Sequence, residues 1–87
     1  MHNFKELLVW QKARNFVKDI YTLTKNFPAD EKFGLTQQIR RASISIPSNI
    51  SEGHMRRSKK EYIQFLSIAQ GSIAELETQL MNLAPSP

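Results

Sequence analysis

The chain has 87 residues and a mass of 10.1 kDa, enough for one small domain of residues 1–87 with a modest core. Hydrophobic residues make up 40% and charged residues 23%, a globular balance, and the absence of cysteine excludes disulfide scaffolds, thiolate metal sites and cysteine nucleophiles. The net charge of +4 is unevenly spread. Residues 1–39 carry six cations and four acids, and residues 61–87 carry three acids and no Lys or Arg. Between them, residues 40–60 hold Arg40, Arg41, Arg56, Arg57, Lys59 and Lys60 against Glu52 alone.

Three helices are predicted, at about 6–26, 29–53 and 59–83, and no alternating strand pattern occurs. In the first, Val9, Ala13, Phe16, Val17, Ile20, Thr24 and Phe27 recur at steps of three and four and share one face. Trp10 sits at the edge of that face, whereas Phe4, Leu7 and Leu8 point away from it. Asn3 and Glu6 have the spacing of a capping box. Either the helix starts after Asn3, or those three apolar residues meet a neighbouring subunit.

Phe27-Pro28 marks the break, since the residue before proline avoids helical angles. Asp30 and Glu31 then suit the first turn of the second helix, where the dipole favours negative charge. Leu35, Ile39, Ala42, Ile46 and Ile50 form its apolar stripe, and Gly53 is the expected stop. Pro47 lacks the N–H that would bond the Ser43 carbonyl, so a kink is expected there. Two shorter helices are the fallback, with Ser43, Ser45 and Ser48 able to satisfy the freed carbonyl.

The third helix has the clearest start: Ser58 and Glu61 form a capping box. Tyr62, Phe65, Leu66, Ala69, Ile73, Leu76, Leu80 and Leu83 sustain its stripe. Gly71-Ser72 places small groups where a neighbouring helix could come close, and Pro85 and Pro87 end the helix.

Beside these stripes run polar ones. Gln38, Arg41, Ser45, Asn49 and Glu52 fall within a sector of about 80° on the second helix. Glu61, Ser72, Glu75 and Gln79 form a matching set on the third. If the two helices fold back on each other, Arg41 comes level with Ser72 and Glu75, and an Arg41–Glu75 ion pair is expected. These groups are read as a structural polar seam that fixes helix register, because no evident general base lies among them.

Catalysis finds little support. His2 and His54 lack the i, i+4 spacing of a zinc site, and His54 with Glu52 offers only two nearby ligands. Ser58 could be drawn into a triad with His54 and an acid, but it already serves as a helix cap. Gly34, Gly53 and Gly71 are too far apart for a phosphate loop. No catalytic residue, metal site or cofactor is therefore expected.

The densest charge lies at Arg56, Arg57, Lys59 and Lys60, which would attract a phosphate backbone. The bland alternative is a solvated helix–helix corner. Arg40 lies ~20 Å back along the second helix and could contribute only after assembly. Few aromatic residues are expected at the surface, so recognition by base stacking is not anticipated. The longest apolar run, Leu7 to Trp10, is far below the ~20 residues that span a bilayer, and Met1 to Glu6 lacks a signal-peptide core. A cytoplasmic protein off the membrane is expected.

Several stretches carry a wider resemblance. Phe4 to Ala13, Phe27-Pro28, Gly34 to Ala42, Ser45 to Gly53 and Phe65 to Glu77 together resemble the bacterial four-helix-bundle family first known as large-subunit ribosomal RNA intervening-sequence proteins. The resemblance implies an antiparallel up-down bundle and relatives that assemble into homopentamers. Family members are encoded within insertions in ribosomal RNA genes. A similar bundle serves diversity-generating retroelements as a basic accessory protein for nucleic acid and a reverse transcriptase. Members continue past the position of Leu83 into a further helix, so this chain is expected to lack the last helix. The implied reading is a non-enzymatic homo-oligomer that binds RNA or other nucleic acid non-specifically. The alternative is an interaction module completed by a partner chain or by self-association.

Overall fold

The computed structural model describes residues 3–28 and 34–83. Among them are three α-helices, α1 (Leu8–Thr24), α2 (Leu35–His54) and α3 (Lys59–Leu83), a short 3-10 turn at Phe4–Glu6, and no strand.

The opening turn explains why α1 begins later than residue 6. Asn3 does act as a cap, but of the 3-10 turn: its Oδ1 accepts from the Lys5 N–H at 3.0 Å. Leu7 then takes an extended conformation (φ −70°, ψ 125°), and α1 starts after it. Gln11 Nε2 donates to the Lys5 carbonyl at 2.9 Å, which ties the turn back onto the helix. At the other end α1 closes at Thr24, and Lys25 and Asn26 form a turn ahead of Phe27-Pro28.

The second helix is also shorter than its pattern suggested. Gly34 has non-helical angles (φ −109°, ψ −105°) and caps α2 without a side-chain bond. The helix thus starts at Leu35 rather than 29, and Asp30 and Glu31 lie outside the described residues. From Leu35 to His54 it is unbroken, with Pro47 inside it, which disposes of the two-helix fallback. Two of the three nearby hydroxyls have other partners than the carbonyl that Pro47 frees. Ser43 Oγ donates to the Arg40 carbonyl at 2.8 Å, and Ser45 Oγ pairs with Ser72 Oγ at 2.7 Å.

Neighbouring helices run antiparallel. Arg40 meets Thr24 while Pro47 and Ser51 lie near Trp10, which fixes the α1–α2 direction. Ser45 meets Ser72 while Gly53 meets Phe65, which fixes α2–α3. The core is a file of Ile20, Ile39, Ala42, Ile46, Ile50, Ala69 and Leu76 centred on α2. Both other helices pack on α2 and scarcely touch each other. An apolar groove of about 620 Å³ therefore lies open between α1 and α3, floored by Ile46 and Ile50. Val9 and Phe16 on one wall and Ile73 on the other belong to the apolar stripes, yet Val9 is 50% and Ile73 41% exposed, and Ile63, outside the stripe, joins the second wall.

Two glycines change roles. Gly53 is not a left-handed stop, since no glycine among the described residues has positive φ and α2 passes through it to His54. It is instead the point of close approach: a Cβ there would lie 2.6 Å from Phe65 Cβ and 3.0 Å from Tyr62 Cδ1. Gly71, where close approach was expected, is exposed, with nothing within 4 Å of the position a Cβ would take.

Candidate nucleic-acid interface

The corner between α2 and α3 is built by ordinary capping chemistry. Met55 N–H donates to the Ser51 carbonyl and Arg56 N–H to the Gly53 carbonyl, each at 3.1 Å, which closes α2. Ser58 Oγ then accepts the Glu61 N–H at 3.1 Å and starts α3. Ser58 is thus held as a cap, with Arg56 and Arg57 before it and Lys59 and Lys60 after it. All four are exposed.

They are not equivalent. Arg56 donates from Nη2 to Glu52 Oε1 at 3.0 Å, and its guanidinium lies 4.9 Å from the centre of the Phe65 ring. This is the one ion pair among the described residues, and at 44% and 57% side-chain exposure it adds little stability. Its effect is to anchor Arg56 against the corner. Arg57, Lys59 and Lys60 have no ion pair or side-chain hydrogen bond to described residues, so their charge faces solvent. His54 sits behind them, edge-on to Tyr62 with ring centres 5.8 Å apart.

Arg40 belongs elsewhere. Its Nε donates to Thr24 Oγ1 at 2.8 Å, and its guanidinium stacks 4.5 Å from the Tyr21 ring centre. Thr24 Oγ1 in turn donates to the Ile20 carbonyl at 2.8 Å. The three side chains latch α1 to α2 at the far end of the molecule from the corner. Sequence periodicity assigned Thr24 to an apolar stripe, and only the packed pair reveals its hydroxyl as the latch.

The polar stripes come together only in their middle. Ser45 and Ser72 share a hydroxyl–hydroxyl bond of 2.7 Å, and Asn49 Nδ2 donates to the Ser45 carbonyl at 2.8 Å and to its hydroxyl at 3.0 Å. Ser72 Oγ also reaches the Ile68 carbonyl at 3.3 Å. Gln38, Arg41, Glu52 and Glu75 are exposed around this knot. No Arg41–Glu75 pair forms, because Glu75 Oε1 accepts from Gln79 Nε2 along its own helix at 3.2 Å. The knot has no nucleophile–base pairing, and no group of three metal-ligating residues occurs among the described residues. His2 lies outside the described residues. Nor is any helix there long and apolar enough to cross a membrane.

These features define a small antiparallel helical protein with a cluster of exposed cations at one end. Residues 5–85 match the family described as 23S rRNA-intervening sequence protein. The chain belongs to that family. No curated protein matches it.

Proposed function

We propose that the chain is a non-enzymatic, oligomeric bundle protein of the cytoplasm that binds RNA or other nucleic acid without sequence preference. The observation that carries this reading is the α2–α3 corner, where Arg57, Lys59 and Lys60 project beside the anchored Arg56. Cations gathered on one turn can meet neighbouring phosphates together, and each contact releases counterions. Four contacts in one protomer give modest affinity, and repetition around an oligomer, a homopentamer by family resemblance, multiplies it. Arg40, engaged at the opposite end, contributes nothing direct to this surface.

The test is RNA affinity measured across a range of salt concentrations. Replacing Arg56, Arg57, Lys59 and Lys60 together by Glu is expected to abolish measurable binding. Wild type is expected to show a log–log salt slope of about −3 for a single strand on four contacts. Equal affinities and slopes for the two proteins would overturn the reading.

The open groove favours a second reading, an interaction module in which a further helix, from a partner or a second copy, completes a four-helix bundle. A helix laid over Ile46 and Ile50 would cover Val9, Phe16, Ile63 and Ile73 together. The kink expected at Pro47 would bend α2 beneath that helix. Light scattering is expected to give a mass above that of one chain. A monomer that binds no hydrophobic dye would exclude this reading.

A further inference from the structure

A second, smaller cavity of about 260 Å³ lies on the outer face of α1 and α2, away from the groove. The 3-10 turn creates it: Phe4 is folded back onto Trp10, edge to face with ring centres 5.3 Å apart and planes at 72°. Pro47, Ile44 and Val17 line its apolar side, and Arg14, Ser48 and Ser51 its polar side.

The polar groups of this slot can all donate, and the two serine hydroxyls can also accept. Ser51 Oγ is spent on the Ser48 carbonyl at 3.0 Å. The Arg14 guanidinium, the Trp10 indole N–H and the Ser48 hydroxyl have no hydrogen-bond partner among the described residues. Such a set, beside aromatic rings, suits a flat ligand rich in acceptors, with a negative charge for Arg14. A carboxylic acid or metal ion meets only part of it. An unpaired nucleobase carrying its phosphate meets all of it.

Position points the same way. Because α1 and α2 are antiparallel, the slot opens at the end of the molecule that carries the basic corner. From Ser51 to the end of α2 at His54 is roughly 5 Å of helix, and Arg56 and Arg57 follow directly. We infer that the slot takes one unstacked base of a single-stranded nucleic acid, with Arg14 on its phosphate and the neighbouring phosphates on the corner. The inference rests on the nucleic-acid reading and deepens it: the target is single-stranded, and binding gains a sequence-tolerant stacking contribution. It revises the expectation from sequence that base stacking plays no part.

Trp10 is the only tryptophan in the chain, so its fluorescence reports on the slot directly. The full chain is titrated with a short uridine homopolymer and with a duplex RNA of equal length. The single strand is expected to quench Trp10 emission and the duplex to leave it unchanged. Arg14→Gln, at an exposed position of α1, should weaken single-strand binding several-fold and spare the duplex. Trp10→Leu should cost on the order of tenfold for the single strand, with circular dichroism confirming that the helices persist. If both RNAs bind through the corner while Trp10 emission stays constant and Arg14→Gln is silent, the slot is refuted and the corner stands. If neither RNA binds, both readings fall together.

Discussion

Ile39→Ala is expected to remove roughly 2–5 kcal/mol of stability, the range for truncating a large buried aliphatic side chain. Ile39 is 0% exposed and sits on the one helix that both others contact, so the cavity it leaves is lined from several sides. A chain of this length has roughly 4–13 kcal/mol in total at the usual value per residue. The variant therefore loses a large share of its folded population under mild denaturant. Urea unfolding followed by circular dichroism measures this, with Ile68→Ala as control, because Ile68 is 52% exposed on α3. A midpoint shift for Ile39→Ala no greater than that of the control would contradict the assignment of the core to α2.

The glycines give the second large effect, and it has opposite signs at two positions. A Cβ at Gly53 meets Phe65 Cβ, which is bonded directly to the backbone so that no rotamer change can move it away. Gly53→Ala must push α3 off α2, an overpacking cost of about 1–3 kcal/mol set against a helix-propensity gain of up to ~1 kcal/mol. Net destabilisation and a loosened corner are expected. Gly71→Ala meets nothing and stands inside α3, so only the propensity gain remains and the melting temperature should rise. Thermal unfolding of the two single variants decides the matter. A stabilising Gly53→Ala would show that the helices are not held at this distance.

Much of this fold was legible in the residues. The stripe of α2 became the core, because isoleucines at three- and four-residue steps can share only one side of a helix. The Ser58 cap and the ending of α1 before Phe27-Pro28 follow from local chemistry, which needs no tertiary partner. Other features depend on which surfaces meet. Nothing local separates Gly53 from Gly71, and their roles differ only because Phe65 stands opposite one of them. Arg41 and Glu75 were matched by register alone, whereas Gln79 is a nearer partner for Glu75 on its own helix.

The candidate site divides in the same way. The corner cations could be read directly, since a charge cluster at a helix–helix turn is exposed wherever the helices pack. Helical rise already set Arg40 apart from them, but not its partners. Its removal to the Thr24–Tyr21 latch is a consequence of the α1–α2 pairing. The slot was hidden for a related reason. Phe4 and Trp10 lie off the main stripe, and only the extended Leu7 between the 3-10 turn and α1 brings their rings together. Val9, Phe16 and Ile73 show a converse case: periodicity marked them as core, and the described helices leave them as walls of a groove.

On the proposed function, the place of the charge rather than the overall +4 is expected to govern nucleic-acid binding. Arg57→Gln and Lys25→Gln remove the same charge from two exposed sites, one at the corner and one at the far end of α1. Titration of single-stranded RNA across a salt series should show Arg57→Gln binding more weakly, with a log–log slope shallower by about 0.7. Lys25→Gln should match wild type in both respects. Equal losses in the two variants would contradict the account, reducing the corner to a solvated turn in a mildly basic protein.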